Sequence, residues 1–159
     1  MDEAKAHATL KDLVASMQAK SAPEVEQLFQ TYYHKDATLD HVALTVSGRE
    51  NIYKVFKVWT TVAHHSPQVE SVIYDQEEKK AMIYTTQHLT PAPLPFLTFT
   101  FPLITILQFT GADKKVIIHH QDVWTYDGAI MNVPILGKLY LSDIRAIFGR
   151  LWSHVGGML

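Results

Sequence analysis

The chain has 159 residues, of which 47% are hydrophobic, which is enough for one domain with a buried core and too few for two. Fourteen Lys and Arg residues against sixteen Asp and Glu leave a formal charge of -2, so there is no basic surplus to bind the phosphates of a nucleic acid. The absence of Cys excludes disulfide bonds, thiolate metal sites and thiol nucleophiles.

The start of the chain is acidic and polar, without the basic and then apolar segments of a secretory signal, so we expect a cytoplasmic protein. Nine His residues are many for this length. Because His titrates near neutral pH, some of them are candidates for a proton-transfer site, while most His side chains lie on surfaces or form hydrogen bonds in a core.

Apolar residues recur at helical spacing in the first third of the chain and predict three amphipathic helices. The second follows Ser21, Pro23 and Glu24, and the third follows a capping box from Ser47 to Glu50 and ends near His64. The three apolar stripes are Leu10, Leu13, Val14 and Met17; Val25, Leu28, Phe29 and Tyr32; and Ile52, Val55, Phe56, Trp59 and Val62. A short strand at about 37–46 lies between the second and third helices.

After Pro67 the pattern is that of extended segments rich in β-branched and aromatic residues. The predicted strands are 68–75, 80–90, 98–110 and 115–127, with polar turns at 75–79 and 111–114. The tail at about 135–155 returns to helical spacing, and a Gly-Gly pair ends it. Helices followed by an antiparallel meander predict one α+β domain over 1–159, with a core at about 5–127, in which a curved sheet and its helices form a cone with a pocket.

Two pairs of segments carry a resemblance to a known superfamily. Tyr33-His34-Lys35-Asp36-Ala37-Thr38-Leu39-Asp40-His41, followed by Ser47-Gly48-Arg49-Glu50-Asn51-Ile52, resembles the helix, short strand and Gly-Arg-Glu helix start of the NTF2-like superfamily. His120-Gln121-Asp122-Val123-Trp124 and the later Pro134-Ile135-Leu136-Gly137 are similar to the His-x-Asp-x-Trp and Pro-Leu-Gly patterns of its SigF-like subgroup. The resemblance covers nearly the whole chain.

The resemblance implies a cone fold with a pocket but not a single activity, since the superfamily contains SnoaL-like polyketide cyclases, ketosteroid isomerases, scytalone dehydratase, limonene epoxide hydrolase and non-catalytic modules. Aligned with the isomerases, His41 takes the place of the general base. Leu13 and about Thr105 take the places of the tyrosine and the protonated acid that hold the enolate. The oxyanion hole does not survive, so steroid isomerisation by that mechanism is not expected.

The last predicted strand supplies the candidate proton-transfer pair. Period-two alternation places Ile118, His120, Asp122 and Trp124 on one face and Ile117, His119, Gln121 and Val123 on the other. We assign the first face to the pocket because it combines a base, a carboxylate and an aromatic wall. A buried Asp next to His orients the imidazole or itself accepts a proton, although the same pair also serves only to satisfy buried polar groups in many cores.

His41 is the third candidate catalytic residue, as a second base or a proton donor. The predicted ligand-binding residues are the aromatic side chains Tyr32, Trp59, Tyr84, Phe101 and Trp124. We place Tyr84 on the pocket because it shares a strand face with Met82, Thr86 and His88, while Tyr32 also closes the apolar stripe of its helix.

No metal or cofactor is expected. Adjacent His residues point apart on a strand, no His-Glu-x-x-His or His-x-His element is present, and there is neither a Gly-rich phosphate loop nor a Gly-x-Ser-x-Gly turn. The apolar segment from Leu94 to Ile104 contains Pro95 and Pro102 and is too short for an integral membrane segment, so it is a core strand or an apolar lip.

The sequence therefore predicts a protein with a pocket for a small hydrophobic molecule. Cofactor-independent acid/base catalysis, as in an isomerase, dehydratase or cyclase, is the first hypothesis. A non-catalytic protein that binds a lipid or terpenoid-like ligand and a homodimeric interaction module are the alternatives.

Overall fold

The computed structural model describes residues 3–19, 22–111, 116–125 and 147. In this part of the chain the helices are α1 (Glu3–Ala19), α2 (Ala22–Tyr32) and α3 (Arg49–Val62). The strands are β1 (Tyr33–His41), β2 (Leu44–Ser47), β3 (Ala63–Asp75), β4 (Lys80–Pro91), β5 (Phe99–Thr110) and β6 (Val116–Trp124). This order confirms the predicted α+β class. The helix predicted at about 135–155 lies outside the described residues, apart from Ile147.

The six strands form one sheet in the order β2-β1-β6-β5-β4-β3. Strands β3 to β6 form the predicted antiparallel meander. The sheet as a whole is mixed, because β1, which precedes the meander in sequence, runs parallel to β6. Strands that are distant in sequence are not joined by a hairpin, so alternation along each of them does not reveal their relative direction.

Two strand boundaries differ from the predicted ones. The strand predicted at 37–46 is a hairpin of β1 and β2, and β1 begins directly where α2 ends. Strand β3 begins at Ala63 and continues through Pro67, where we expected a break. The proline is tolerated because β3 is the edge strand of the sheet and its outer side needs no N–H donor.

Helix α3 begins at a glycine and not at the predicted capping box. Gly48 is the N-cap residue, with φ 89°, and no side chain caps the helix. Ser47 is still part of β2, and its carbonyl accepts a hydrogen bond of 3.0 Å from Asn51 Nδ2. Gly48 suits this junction because its positive φ is unfavourable for other residues and its N–H donates to the Ala37 carbonyl at 2.8 Å.

The core lies between the three helices and the inner face of the sheet. Its members are mostly the residues of the three predicted stripes together with inward residues of β1, β4, β5 and β6. They include Leu10, Leu13, Val14, Met17, Val25, Phe29, Ala37, Leu39, Ile52, Phe56, Ala81, Ile83, Leu107 and Ile117. Polar side chains on this same inner face are therefore enclosed by apolar packing.

Candidate functional site

Strand β6 carries two polar side chains into the interior. His120 is 1% exposed and Asp122 5% exposed. His119 lies on the outer face, where its Nδ1 is 2.7 Å from the hydroxyl of Thr38. The structure thus places the two adjacent His residues on opposite faces and His120 inside, as alternation predicted.

A β-bulge changes the beginning of the same strand. The ladder with β5 pairs Phe109 with Ile117 and Gln108 with His119, so Ile118 is the additional residue. Ile117 is fully buried as a result, although strict alternation assigned it to the outer face together with His119. The bulge leaves the inward direction of His120 and Asp122 unchanged.

Four buried polar side chains form a continuous hydrogen-bonded chain, Tyr33–His120–Asp122–Thr105. The hydroxyl of Tyr33 is 2.5 Å from His120 Nδ1, and His120 Nε2 is 3.1 Å from Asp122 Oδ1. Thr105 Oγ1 donates to the same carboxylate oxygen at 2.7 Å. All four residues are at most 5% exposed, and the hydrogen bonds satisfy polar groups that would otherwise be costly to bury.

The hydrogen bonds of these four side chains hold Asp122 in its ionised form. Burial alone raises the pKa of Asp122, but the electrostatic interaction and hydrogen bond with His120 and the hydrogen bond of Thr105 lower it below its ordinary value. Burial, reinforced by the charge of Asp122, raises the pKa of Tyr33 well above its ordinary value. Tyr33 therefore remains protonated, and a hydroxyl donor and a carboxylate acceptor stand at either side of His120.

His41 lies beside this chain at the end of β1. It is paired in register with Asp122 across the parallel ladder, and its ring contacts Trp59 and Trp124 at centroid distances of 4.7 and 5.3 Å. Burial lowers the pKa of His41, which the charge of Asp122 only partly opposes. The backbone N–H of Ala43 donates to Nδ1 at 3.2 Å, so the neutral ring carries its proton on Nε2.

Three of the five predicted ligand-binding residues gather around His41. Trp59 and Trp124 contact it directly, and Phe101 packs against Trp124 at a centroid distance of 4.5 Å. Phe56 connects Trp59 to the ring of His120, with centroid distances of 5.0 and 5.8 Å. An aromatic frame thus surrounds the ionisable groups.

A groove of about 630 Å³ borders this frame. It lies between the end of α3, the start of β3 and the end of β4, and Trp59 is common to the groove and the frame. Its lining is mainly apolar and consists of Trp59, Thr61, Val62, Ala63, His65, Leu89, Pro91, Ala92 and Pro93. Burial lowers the pKa of His65, so this ring is also neutral at pH 7.

The other two predicted ligand-binding residues are placed elsewhere. Tyr84 is 38% exposed on the outer face of β4, while Ala81, Ile83, Thr85 and Gln87 point inwards. Alternation separated the two sets correctly but did not show which one faces the helices, and the assignment of Tyr84 to the pocket was wrong. Tyr32, at the end of α2, is half-buried against the core and does not belong to the hydrogen-bonded chain.

The sequence analysis missed Tyr33 as a site residue. Tyr32 continues the stripe of α2, which drew attention to it, whereas Tyr33 is the first residue of β1 and points inwards. The Tyr-Tyr pair at a helix-to-strand junction was the available signal. Leu13 is buried in α1, and Thr105, at the aligned position of the isomerase acid, donates to Asp122.

The described residues show no group of three or more His, Asp and Glu side chains that could hold a metal ion. Within the same residues no helix is both long and apolar enough to cross a membrane. In the apolar segment, Phe101 is buried on β5, but Phe96 is 82% exposed in the loop before it, with Leu94 and Leu97 partly exposed beside it. We call residues 94–97 the apolar lip.

Three helices packed on the inner face of a six-stranded mixed sheet, with polar side chains buried on that face, are the arrangement of the NTF2-like class. Residues 6–159 match the SigF NTF2-like domain, so the chain belongs to this family. No curated protein matches the sequence.

Solved structures with the same fold come from several bacteria. A hypothetical protein with a ketosteroid isomerase-like fold from Catenulispora acidiphila DSM 44928, in complex with trimethylamine, has 14% identity and a TM-score of 0.62 over 82% of this chain and 94% of that chain. A LEH-like epoxide hydrolase of M. tuberculosis has 10% identity and a TM-score of 0.62, covering 86% and 97%. A putative SnoaL-like polyketide cyclase from Jannaschia sp. CCS1 has 12% identity and a TM-score of 0.62, covering 85% and 98%. At these identities the similarity shows the fold alone.

Proposed function

We propose that the protein is a cofactor-independent acid/base enzyme, of the isomerase, dehydratase or cyclase kind, that acts on a small hydrophobic molecule. The observation that carries the proposal is the pairing of an ionised carboxylate, Asp122, with a neutral imidazole, His41, inside an aromatic frame. Removal of a proton by one group and hydrogen bonding to a substrate oxygen by the other is the chemistry that such a pair supports.

Asp122 is the base in this proposal. The hydrogen bonds from His120 and Thr105 both reach Oδ1, so Oδ2 is the carboxylate oxygen that neither of them occupies. Oδ2 accepts a proton from a substrate C–H group, which leaves the electron pair on the substrate. His120 and Thr105 keep the carboxylate fixed and ionised without taking part in the transfer, because each already donates its own proton to Oδ1.

His41 is the hydrogen-bond donor. Its Nδ1 is occupied by the Ala43 N–H, so Nε2–H is the group left for a substrate. A neutral imidazole stabilises the negative charge that develops on a substrate oxygen and returns to its starting state without losing its proton. His41 thereby supplies the hydrogen-bond donor to the substrate oxygen that is missing at Leu13, the position aligned with the isomerase tyrosine.

The apolar body of the substrate packs against Trp59, Trp124 and Phe101 and extends into the groove. Burial of apolar area supplies most of the affinity in such a site, and a few polar groups fix orientation. The known structures support a small substrate, since one neighbour was solved with trimethylamine and others are described as an epoxide hydrolase and a polyketide cyclase.

A non-catalytic ligand-binding protein is the second candidate, and one observation favours it. The pKa of Asp122 is lowered, and a carboxylate with a low pKa is a weak base. In this alternative the same aromatic walls hold the ligand, and the hydrogen-bonded chain only stabilises the core.

The test uses 5-nitrobenzisoxazole, an apolar probe whose ring opens when a base removes its C–H proton. The proton passes to the base, the N–O bond breaks, and a coloured phenolate is released. We expect turnover above the buffer rate, and Asp122→Asn should lower it by about a hundredfold, the usual contribution of a positioned base. Asn retains the size of the side chain and its acceptor oxygen, so the variant isolates the lost charge.

Asp40→Asn is the matched control. Asp40 precedes His41 on β1, and its carboxylate accepts a hydrogen bond from Thr45 at 3.1 Å, away from the inner face. Turnover should be unchanged in this variant. Equal turnover by Asp122→Asn and the wild type would exclude Asp122 as the base, and binding of the probe without turnover would establish the ligand-binding alternative.

A further inference from the structure

The hydroxyl of Tyr33 has two possible hydrogen-bond acceptors. His120 Nδ1 lies at 2.5 Å and Met17 Sδ at 3.3 Å. A thioether sulfur is a weak acceptor and an imidazole nitrogen a strong one, so the single hydroxyl proton is directed to His120. The ring of Tyr33 is fixed by stacking on Phe29 at a centroid distance of 4.4 Å.

The neighbour on the other side of His120 favours the same position of its proton as Tyr33 does. Nε2 faces Asp122 Oδ1, and an ionised carboxylate only accepts hydrogen bonds, so Nε2 carries a proton. In a neutral imidazole Nδ1 then has a free electron pair and needs a donor. Tyr33 is the donor that the fold places there, and both ring nitrogens of His120 thereby have a hydrogen-bond partner.

We propose that Tyr33 is the positioning residue of the site, because its hydroxyl holds His120 in the Nε2–H tautomer and thereby keeps Asp122 ionised. The proposal rests on the proposed function for its catalytic consequence, since Tyr33 acts through His120 and Asp122 and does not touch a substrate. The tautomer itself is independent of any activity.

Few ionisable groups face His120. Asp122 and Tyr33 contact it, His41 lies beside Asp122, and Arg49 Nη1 approaches the Tyr33 carbonyl at 3.4 Å. Among the described residues, the other side chains that α1, α2, α3 and β5 place against the hydrogen-bonded chain are not ionisable, namely Met17, Phe29, Phe56 and Thr105.

The test is a measurement of the imidazole nitrogens by ¹⁵N NMR, combined with the pH profile of 5-nitrobenzisoxazole turnover. In the wild type we expect Nε2 of His120 to carry the proton and Nδ1 to be unprotonated. Tyr33→Phe leaves Nδ1 without its donor and should produce a mixture of tautomers. Because Asp122 then loses part of its Nε2–H donor, the acid limb of the turnover profile should move up by roughly one pH unit.

Met17→Leu is the matched control, since it removes the second acceptor and keeps the apolar volume. Both the tautomer and the acid limb should remain as in the wild type. A folded Tyr33→Phe variant with unchanged nitrogen shifts and an unchanged acid limb would overturn the proposal. If that variant does not fold, a wild-type His120 with its proton on Nδ1 overturns it, and one with its proton on Nε2 supports it.

The two proposals fail in different ways. Absence of turnover in the wild type contradicts the proposed enzyme but leaves the tautomer measurement decisive for Tyr33. If turnover depends on Asp122 but the His120 tautomer is the same in Tyr33→Phe as in the wild type, only the role of Tyr33 is contradicted.

Discussion

His41 and Asp122 face each other in register at the ends of the parallel strands β1 and β6. Neighbouring strands lie about 4.8 Å apart, so the two side chains are close enough to influence each other electrostatically despite their distance in sequence. The charge of Asp122 opposes the effect of burial on the pKa of His41, and His41 in turn helps to lower the pKa of Asp122. The protonation of one residue therefore depends on that of the other.

The hydrogen bond from Thr105 to Asp122 should contribute to stability in a pH-dependent way. Thr105→Val keeps the shape of the side chain and removes the donor, so we expect a loss of about 1–3 kcal/mol at pH 7. Since the folded pKa of Asp122 lies below the unfolded value, its contribution is complete above about pH 4 and is lost as the pH falls further. In Thr105→Val the folded pKa of Asp122 rises towards the unfolded value, so this loss on acidification should be smaller and complete at a higher pH, as measured by urea denaturation across pH.

Thr85→Val is the control for this experiment. Thr85 is also buried, and its hydroxyl has no hydrogen-bond partner among the described residues. Its replacement by Val removes an unsatisfied polar group, so the free energy of unfolding should stay the same or increase. If both Val variants lost equal stability, the Thr105 hydrogen bond would not be the cause.

The protonation of His41 should be visible in tryptophan fluorescence. An imidazolium quenches a neighbouring indole more strongly than a neutral imidazole does, and the ring of His41 contacts both Trp59 and Trp124. We expect fluorescence to fall on acidification with a midpoint below pH 6.5, because burial lowers the pKa of His41. The transition should disappear in His41→Gln, and a midpoint above 6.5 would contradict the assigned direction.

His65 should make the fold sensitive to mild acid. Burial lowers its pKa in the folded state, so below about pH 6.5 the unfolded chain binds the proton more readily and stability falls. His65→Gln should reduce the decrease in melting temperature between pH 7 and pH 5. His64→Gln is the control, because His64 is exposed on the same strand and its charge contributes less than burial to the lowered pKa of His65, so the decrease should change less than in His65→Gln.

Much of the fold follows from local patterns in the sequence. The apolar stripes around Val14, Phe29 and Phe56 predicted the helices, and period-two alternation predicted that His120 and Asp122 share the inner face. These patterns succeed because one face of each element is buried against one core. Each of these patterns involves residues that are close together in the sequence, so it can be recognised without knowing the tertiary structure.

The parts that were not predicted depend on contacts between distant segments. Alternation on β4 does not show which face meets the helices, so Tyr84 was assigned to the wrong side. The bulge at Ile118 and the parallel register of His41 with Asp122 are set by neighbouring strands. Tyr33 acquires its role only when α2 ends and β1 brings its hydroxyl to His120.

The apolar lip should not act as a membrane anchor. Phe96 is its most exposed member, and full burial of one such side chain contributes about 1.5–3 kcal/mol, too little for stable attachment to a bilayer. We therefore expect no flotation of the protein with neutral phosphatidylcholine vesicles, for the wild type and for Phe96→Ser alike. Phe96→Ser should also change the free energy of unfolding by less than about 0.5 kcal/mol, as is usual for exposed positions. Flotation of the wild type that Phe96→Ser abolishes would contradict this expectation and make the lip a membrane-binding element.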